Sequence, residues 1–385
     1  MYIPKQIEYM LRKLQNAGFD AYLVGGSVRD FLLGSKPSDF DITTNALPQQ
    51  TVEVFECDRV IPTGIKHGTV TVLHDGYSAE ITTYRTETTY SDGRHPDKVD
   101  FSRKLSDDLC RRDFTVNAMA MGLDGEVVDL YGGKDDLAKG IIRTVGNPDL
   151  RFTEDALRIL RAFRFASKLG FEIEENTLLS AVSLAKRLSL VSRERIFDEF
   201  SKLICGRDAC RIVKLMYKHG VFDCIFEKPV INESAFEYFD KMPPSQAARF
   251  AALFLYDERI CEHAKSLKTS SEFYTRISKI AECRLPLHDD KPTLRRLISR
   301  FGEAALDRCI AEGNESGLGN KLFEIFDTEK CFEVRDLDVN GKDVMEATGV
   351  RGKEVGEVLQ TLLFAVFDEK VSNKKEDLIE YLKKS

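Results

Sequence analysis

The sequence predicts an α+β head built on a mixed sheet, followed by an all-α remainder. Three observations lead there. Up to about Arg143, strand-like runs recur with helix-like runs between some of them. After Gly146-Asn147-Pro148 the texture changes, and residues 150–220 show long helical periodicity with few breakers. From 221 to 385 the pattern stays helical, punctuated by KMPPS at 241–245, RLPLHDDKP at 284–292 and EGNESGLGN at 312–320.

Taken in order, MYIPKQIEYMLRKL is amphipathic and lacks a signal-peptide core, so it reads as the first helix of a cytoplasmic protein. AYLV, 21–24, is a short apolar run ended by Gly25-Gly26 and reads as a buried strand. Ser27 to Leu33 reads as a helix that Gly34 stops. A glycine turn entering a helix leaves bare amides pointing outward, a seat for phosphate. In SDFDITT, strand alternation puts Asp39 and Asp41 on one face and Phe40 and Ile42 on the other. Two carboxylates that close repel unless neutralised, and Mg²⁺ suits an oxygen-only pair. GTVTVL and SAEITTYR continue the strands. Glu80 shares a face with Thr82; it is either an exposed strand residue or, beside the DFD strand, a third carboxylate. Three carboxylates would hold two metals, one activating a hydroxyl and one clamping pyrophosphate.

Residues 85–109, RTETTYSDGRHPDKVDFSRKLSDDL, read as a long polar loop and a movable lid. In RRDFTVNAMAM, Arg111 and Arg112 have the fork geometry to neutralise a triphosphate. Asp113 and Asn117 can bond a ribose hydroxyl or each other. VVDLY supplies a last strand. RFTEDALRILRAFRFASKLGF reads as one helix. Ala156, Ile159, Leu160, Phe163 and Ala166 form its apolar half, and Arg158, Arg161 and Arg164 wind behind Asp155 on the other. A carboxylate only accepts and a guanidinium only donates. Side by side, Asp155 and Arg158 complement the Watson–Crick edge of cytosine or adenine and reject that of uracil or guanine, provided the helix faces the sheet. Arg161 and Arg164 then reach towards phosphates.

Composition narrows the class. There is no run of eighteen apolar residues to span a membrane. Nine cysteines without CxxC spacing fit reduced, mostly buried thiols rather than disulfides or zinc. The six histidines show neither HExxH spacing nor a phosphohydrolase cluster. Net charge is −7, split as −6 over 1–150, +5 over 151–220 and −6 over the rest, so the basic excess is local.

GGSVRD with DFD, RRDFTVNAMAM and EDALRILRAFRF, in this order, resemble the class II tRNA nucleotidyltransferases, a family that includes CCA-adding enzymes and bacterial poly(A) polymerases. The resemblance covers roughly residues 20–200 strongly. It implies a polymerase-β-like head over 1–146, a neck over 147–205, a body over 206–290 and a tail over 291–385. The implied reaction is Mg²⁺-dependent addition of CMP, CMP and AMP from CTP and ATP to the 3′ end of tRNA. By motif, metal ligands fall on Asp39 and Asp41. Nucleotide contacts fall on Gly26, Arg29, Arg112, Asp155, Arg158, Arg161 and Arg164. Ala156 and Leu157 in EDALR are closer to CCA-adding members than to poly(A) polymerases, which tend to carry proline and valine there. The tail segment around TGVRGKEVG also resembles these enzymes, and it makes Lys342, Arg351 and Lys353 candidate contacts to the tRNA elbow. No obligate protein partner is expected. A-only addition, poly(A) tailing, nucleotidyl transfer to a small molecule and a non-catalytic tRNA-binding role are the alternatives.

Overall fold

The computed structural model describes residues 3–62, 64–88, 98–313 and 315–384. The chain forms two compact units, Met1–Glu227 and Lys228–Ser385. The expected division at 146/147 lies inside the first unit, and the expected body over 206–290 runs across the division at 227/228.

Nine strands of the first unit are β1 (Ala21–Val24), β2 (Asp41–Thr44), β3 (Arg59–Ile61), β4 (Thr69–His74), β5 (Tyr77–Thr83), β6 (Arg85–Thr88), β7 (Lys98–Phe101), β8 (Met119–Met121) and β9 (Val127–Asp129); two shorter ones, β10 (Ile141–Ile142) and β11 (Glu172–Ile173), pair parallel with each other. Of the first nine, all but β6 and β7 join one sheet in the order β3-β4-β5-β2-β1-β8-β9. Only β2 and β5 run parallel and every other neighbouring pair is antiparallel, so the sheet is mixed as the sequence predicts. In the β2–β5 pair Asp41 stands opposite Glu80, Ile42 opposite Ile81 and Thr43 opposite Thr82. Ile42 and Ile81 are buried. With a period of two, burying that face sends both acids to the other.

Helices pack around the sheet: α1 (Lys5–Asn16), α2 (Gly26–Leu32), α3 (Pro48–Val54), α4 (Leu105–Cys110) and α5 (Gly133–Lys139). The apolar stripe of α1, Ile7, Met10, Leu11 and Leu14, is fully buried. Lys13 and His74 meet at Asp58, each 2.7 Å from it, tying α1 to the sheet edge. Helices α6 (Pro148–Glu154), α7 (Leu157–Leu169), α8 (Glu175–Ser183), α9 (Arg193–Ile204) and α10 (Ala209–Lys218) complete the unit.

Three expectations change. The segment 85–109 is not one loop. β6 and β7 pair antiparallel, Arg85 opposite Phe101, and α4 follows; the centre of the expected lid, 89–97, lies outside the described residues. The helix expected across 151–169 is two helices. Asp155 adopts an extended backbone, φ −138° and ψ 105°, and its side chain accepts from the Leu157 N–H at 3.0 Å. A short carboxylate that bonds its own backbone starts a helix rather than continuing one. Of the nine free cysteines, Cys210, Cys283 and Cys309 are buried, while Cys57 and Cys110, beside the ends of the short helices α3 and α4, are exposed.

The second unit is all-α among its described residues. One core gathers Leu294, Ile298, Cys309, Leu322 and Ile325. Another gathers Val344, Leu362, Leu363, Phe367 and Leu378. Helix Gly341–Thr348 opens on a capping box at Asn340 and closes at Gly349, whose φ of +76° only glycine adopts freely. A short turn leads into helix Lys353–Phe367, and Lys342, Arg351 and Lys353 are exposed around it. No helix among the described residues is long and apolar enough to cross a membrane.

Candidate active site

Gly25 ends β1 with φ 72° and ψ −131°. A Cβ added there would lie 3.1 Å from Nη1 of Arg112 and 3.7 Å from Oδ2 of Asp41. The bare turn therefore separates a guanidinium from a carboxylate. Helix α2 has seven residues, so its dipole adds little; the turn's backbone and Arg112 are what it offers a phosphate. Arg29, expected at the nucleotide, is buried beneath the turn. It donates to Asp30 at 2.8 Å and to Asn117 at 2.6 Å, and its guanidinium lies 5.3 Å from the Phe165 ring centroid. Gly26 sits above it, with Arg29 Nη2 3.4 Å from the place a Cβ would occupy.

Asp39, Asp41 and Glu80 line one cleft of about 690 Å³ with Thr71, Tyr77 and Ser78. The alternation holds: Asp39 and Asp41 are open to solvent and Phe40 is buried between them. Crowding by the cleft walls raises the Asp41 carboxyl above the usual aspartate range. Arg112 offsets part of this, and the like charges of Glu80 and Asp39 add to it. These groups fit Mg²⁺ in donor type: oxygens only, in a wet cleft, with negative charge to be neutralised. Among the described residues no three such side chains form a complete ion site, so the expected three-carboxylate set is not closed by protein alone. Magnesium usually takes one or two carboxylates, leaving the remaining positions to water and phosphate oxygens.

The arginines of the RRD motif share a partner that the sequence did not single out. Asp108 is fully buried. Its Oδ1 accepts from Arg111 at 2.7 and 3.0 Å. Its Oδ2 accepts from Arg112 at 3.0 Å and from Thr43 of β2 at 3.2 Å. Burial alone would raise its pKa, but the two guanidiniums prevail and hold it low. Asp108 thus fixes Arg112 beside Gly25. A buried acid in a run such as SDDL looks like any solvated one until the fold is known.

Asp113 and Asn117 bond each other, at 3.1 Å. Asp113 also takes both Nε and Nη2 of Arg161, at 2.8 and 2.6 Å. Burial pushes the Asp113 carboxyl up, yet Arg161, with Asn117 and Arg158, brings it down to about 2. Arg164 pairs with the buried Glu199 of α9 at 2.6 Å and stacks 4.0 Å from the Phe165 centroid. The charged row of α7 is therefore anchored rather than solvated; Arg158, Arg161 and Arg164 are 11%, 33% and 13% exposed. Asp155 and Arg158 are not neighbours on one helix as expected. Asp155 accepts from Arg195 of α9 at 2.9 Å. Arg158 donates to Glu154 at 2.6 Å and to the Arg111 carbonyl at 3.1 Å.

Paired carboxylates in a cleft beside an unobstructed turn and a fixed guanidinium define a nucleotidyltransferase head. Residues 21–143 match the model of the poly A polymerase head domain. Residues 170–234 match that of an RNA- and SrmB-binding site of polymerase A, and 245–382 that of tRNA nucleotidyltransferase domain 2. The chain is 37% identical to the CCA-adding enzyme of Ligilactobacillus salivarius, covering 97% of this chain and 95% of that one. It is 35% identical to the CCA-adding enzyme of a Geobacillus species over the same shares. A crystal structure of the Bacillus stearothermophilus CCA-adding enzyme in complex with CTP superposes with a TM-score of 0.83 at 32% identity, covering 100% of this chain and 98% of that one. The Thermotoga maritima CCA-adding enzyme complexed with tRNA shares the fold, at a TM-score of 0.69 and 22% identity over 99% and 95%. The chain belongs to the CCA-adding enzymes, within the class II tRNA nucleotidyltransferase family.

Proposed function

We propose that this enzyme adds CMP, CMP and AMP in turn to the 3′ end of tRNA, from CTP and ATP, releasing one pyrophosphate per step. The observation that carries the reading is the parallel register that sets Asp41 opposite Glu80, with Gly25 and Arg112 beside them. Full-length likeness to CCA-adding enzymes supports CCA rather than another tail. The Gly25-Gly26 turn and Arg112 take the triphosphate. Asp39 and Asp41, with Glu80 beside them, hold Mg²⁺, which when bound lowers the charge barrier to attack of the terminal 3′ hydroxyl on the α-phosphate. Asp155 accepts from the exocyclic amino group of C or A, and Arg158 donates to the adjacent ring nitrogen. Asp113, Asn117, Arg29, Arg161 and Arg164 hold head and α7 together around the nucleotide. The second unit grips tRNA, with Lys342, Arg351 and Lys353 on its phosphates. The head, neck, body and tail limits given by the sequence, a cytoplasmic setting and independence of a protein partner belong to the same proposal.

A single-nucleotide extension assay tests it. The protein receives Mg²⁺ and tRNA ending at the discriminator base, in C, or in CC, with CTP and ATP offered separately and together. Two C and one A added in order, then a stop, are expected. Addition of A to the CC end alone, long A tails, or no transfer to RNA would each overturn the reading.

A further inference from the structure

We propose that Arg195 is a positioning residue for nucleotide choice, acting only by holding the Asp155 carboxylate in the attitude that reads the base. The inference rests on the reading of Asp155 given above.

Asp155 sits where α6 gives way to α7, and its extended backbone lies outside both helices. A side chain at such a break is not oriented by the helices around it. Two bonds orient this one. Oδ1 accepts from the Leu157 N–H at 3.0 Å, a local bond that fixes one edge of the carboxylate. Oδ2 accepts from Nη2 of Arg195 at 2.9 Å, the only side-chain tie from Asp155 beyond α6 and α7 among the described residues. A carboxylate offers about four acceptor positions, so two are left for an amino group.

Arg195 has no second ion pair among the described residues, and its Nη1 is buried without a hydrogen-bond partner. Its guanidinium is therefore committed to Asp155. The helix that carries it is well fixed: Ile196 and Phe200 of α9 are fully buried. One turn further on, Glu199 of α9 pairs with Arg164 at 2.6 Å and approaches Arg161 at 3.6 Å. Helix α9 thus presents a base to the acid at the α6–α7 break and an acid to the bases of α7. Arg158 is anchored elsewhere, by Glu154 and the Arg111 carbonyl. The spacing of the reading pair is consequently set by two separate anchors, and Arg195 is one of them.

Freed from Arg195, the Asp155 carboxylate can turn to accept a ring N–H, which uracil and guanine offer. The loss should therefore appear in selectivity. The test measures kcat/KM for CTP and UTP on tRNA ending at the discriminator base, and for ATP and GTP on tRNA ending in CC. The proteins are wild type, Asp155→Ala, Arg195→Gln and the double variant. Arg195→Gln should lower both selectivity ratios roughly tenfold or more, the scale of a charge-assisted hydrogen bond, with KM for tRNA unchanged. Added to Asp155→Ala, it should change them less than about twofold, because its target is gone. Wild-type ratios in Arg195→Gln, or a full further loss in the double variant, overturn the proposal while leaving Asp155 as the reader. Wild-type ratios in Asp155→Ala overturn the reading itself and this inference with it. Arg195→Met fills the aliphatic space of the arginine and repeats every comparison if Arg195→Gln does not fold.

Discussion

Gly25 is a residue at which backbone and site coincide. Its φ of 72° with ψ of −131° strains any L side chain, and a methyl group would press on Arg112. Gly25→Ala should cost about 1–3 kcal/mol of stability and weaken nucleotide binding together. Chemical denaturation and KM for CTP measure the two losses. Asp41 behaves in the opposite way. It is crowded and repelled by Glu80 and Asp39, so the fold gains nothing from its charge. Asp41→Ala should leave the thermal midpoint unchanged or slightly raised, while turnover falls by more than the roughly 100-fold that loss of a supporting group costs. Retained turnover would remove the metal assignment. The acidic pair was legible in the sequence because strand alternation is local and period two admits one answer. Asp108 was not: its arginines lie only three and four residues on, but its burial against Thr43 of β2 is decided by a strand that the segment itself does not contain.

Helix α7 shows how far an element can be read alone. Its apolar half was legible: Ile159, Leu160, Phe163 and Ala166 are all buried. Its charged half was legible as a row of arginines but not as an anchored one. The anchors, Asp113 and Glu199, come from distant parts of the chain. The break before α7 was not legible because helical periodicity runs through Asp155 unbroken, whereas its backbone is extended and its side chain accepts from the Leu157 N–H and from Arg195 of α9. This anchoring has a pH signature. Asp113 titrates near 2 in the folded protein and near 3.8 when free. A depressed folded value means that the unfolded chain binds the proton more readily. The stabilisation, roughly 2 kcal/mol, is complete above about pH 4 and is lost as pH falls towards 2. Urea midpoints measured from pH 6 to pH 2 should fall less steeply at the acid end in Asp113→Asn than in wild type. The variant should also be less stable throughout, since Arg161 loses its nearer charged partner and keeps Glu199 at 3.6 Å.

For the molecule as a whole, an acidic chain that handles RNA has to place its positive charge locally. The excess over 151–220 is largely spent on internal partners: Arg158, Arg161 and Arg164 all bind acids or carbonyls of the first unit. The tail lysines and arginine are different, since Lys342, Arg351 and Lys353 are exposed and make no ion pair among the described residues. Replacing the three by alanine should raise KM for tRNA and flatten its dependence on salt, by roughly one logarithmic unit of slope per lost contact. KM for CTP should not move. An unchanged salt slope would place the RNA grip elsewhere. The order of head and helical remainder was legible from texture, whereas the division at 227/228 was not, because helical periodicity continues on both sides of it. The pairing of β2 with β5 has a last consequence, for how errors are caught. The same alternation that buries Ile42 and Ile81 lifts Asp41 and Glu80 into the cleft. A slip of one residue would drown both acids in oil and strand both isoleucines in water, and such a chain would not survive as a compact protein. Folding therefore inspects the carboxylates proposed to hold the metal before any substrate does, and a molecule that passes has both of them in the cleft.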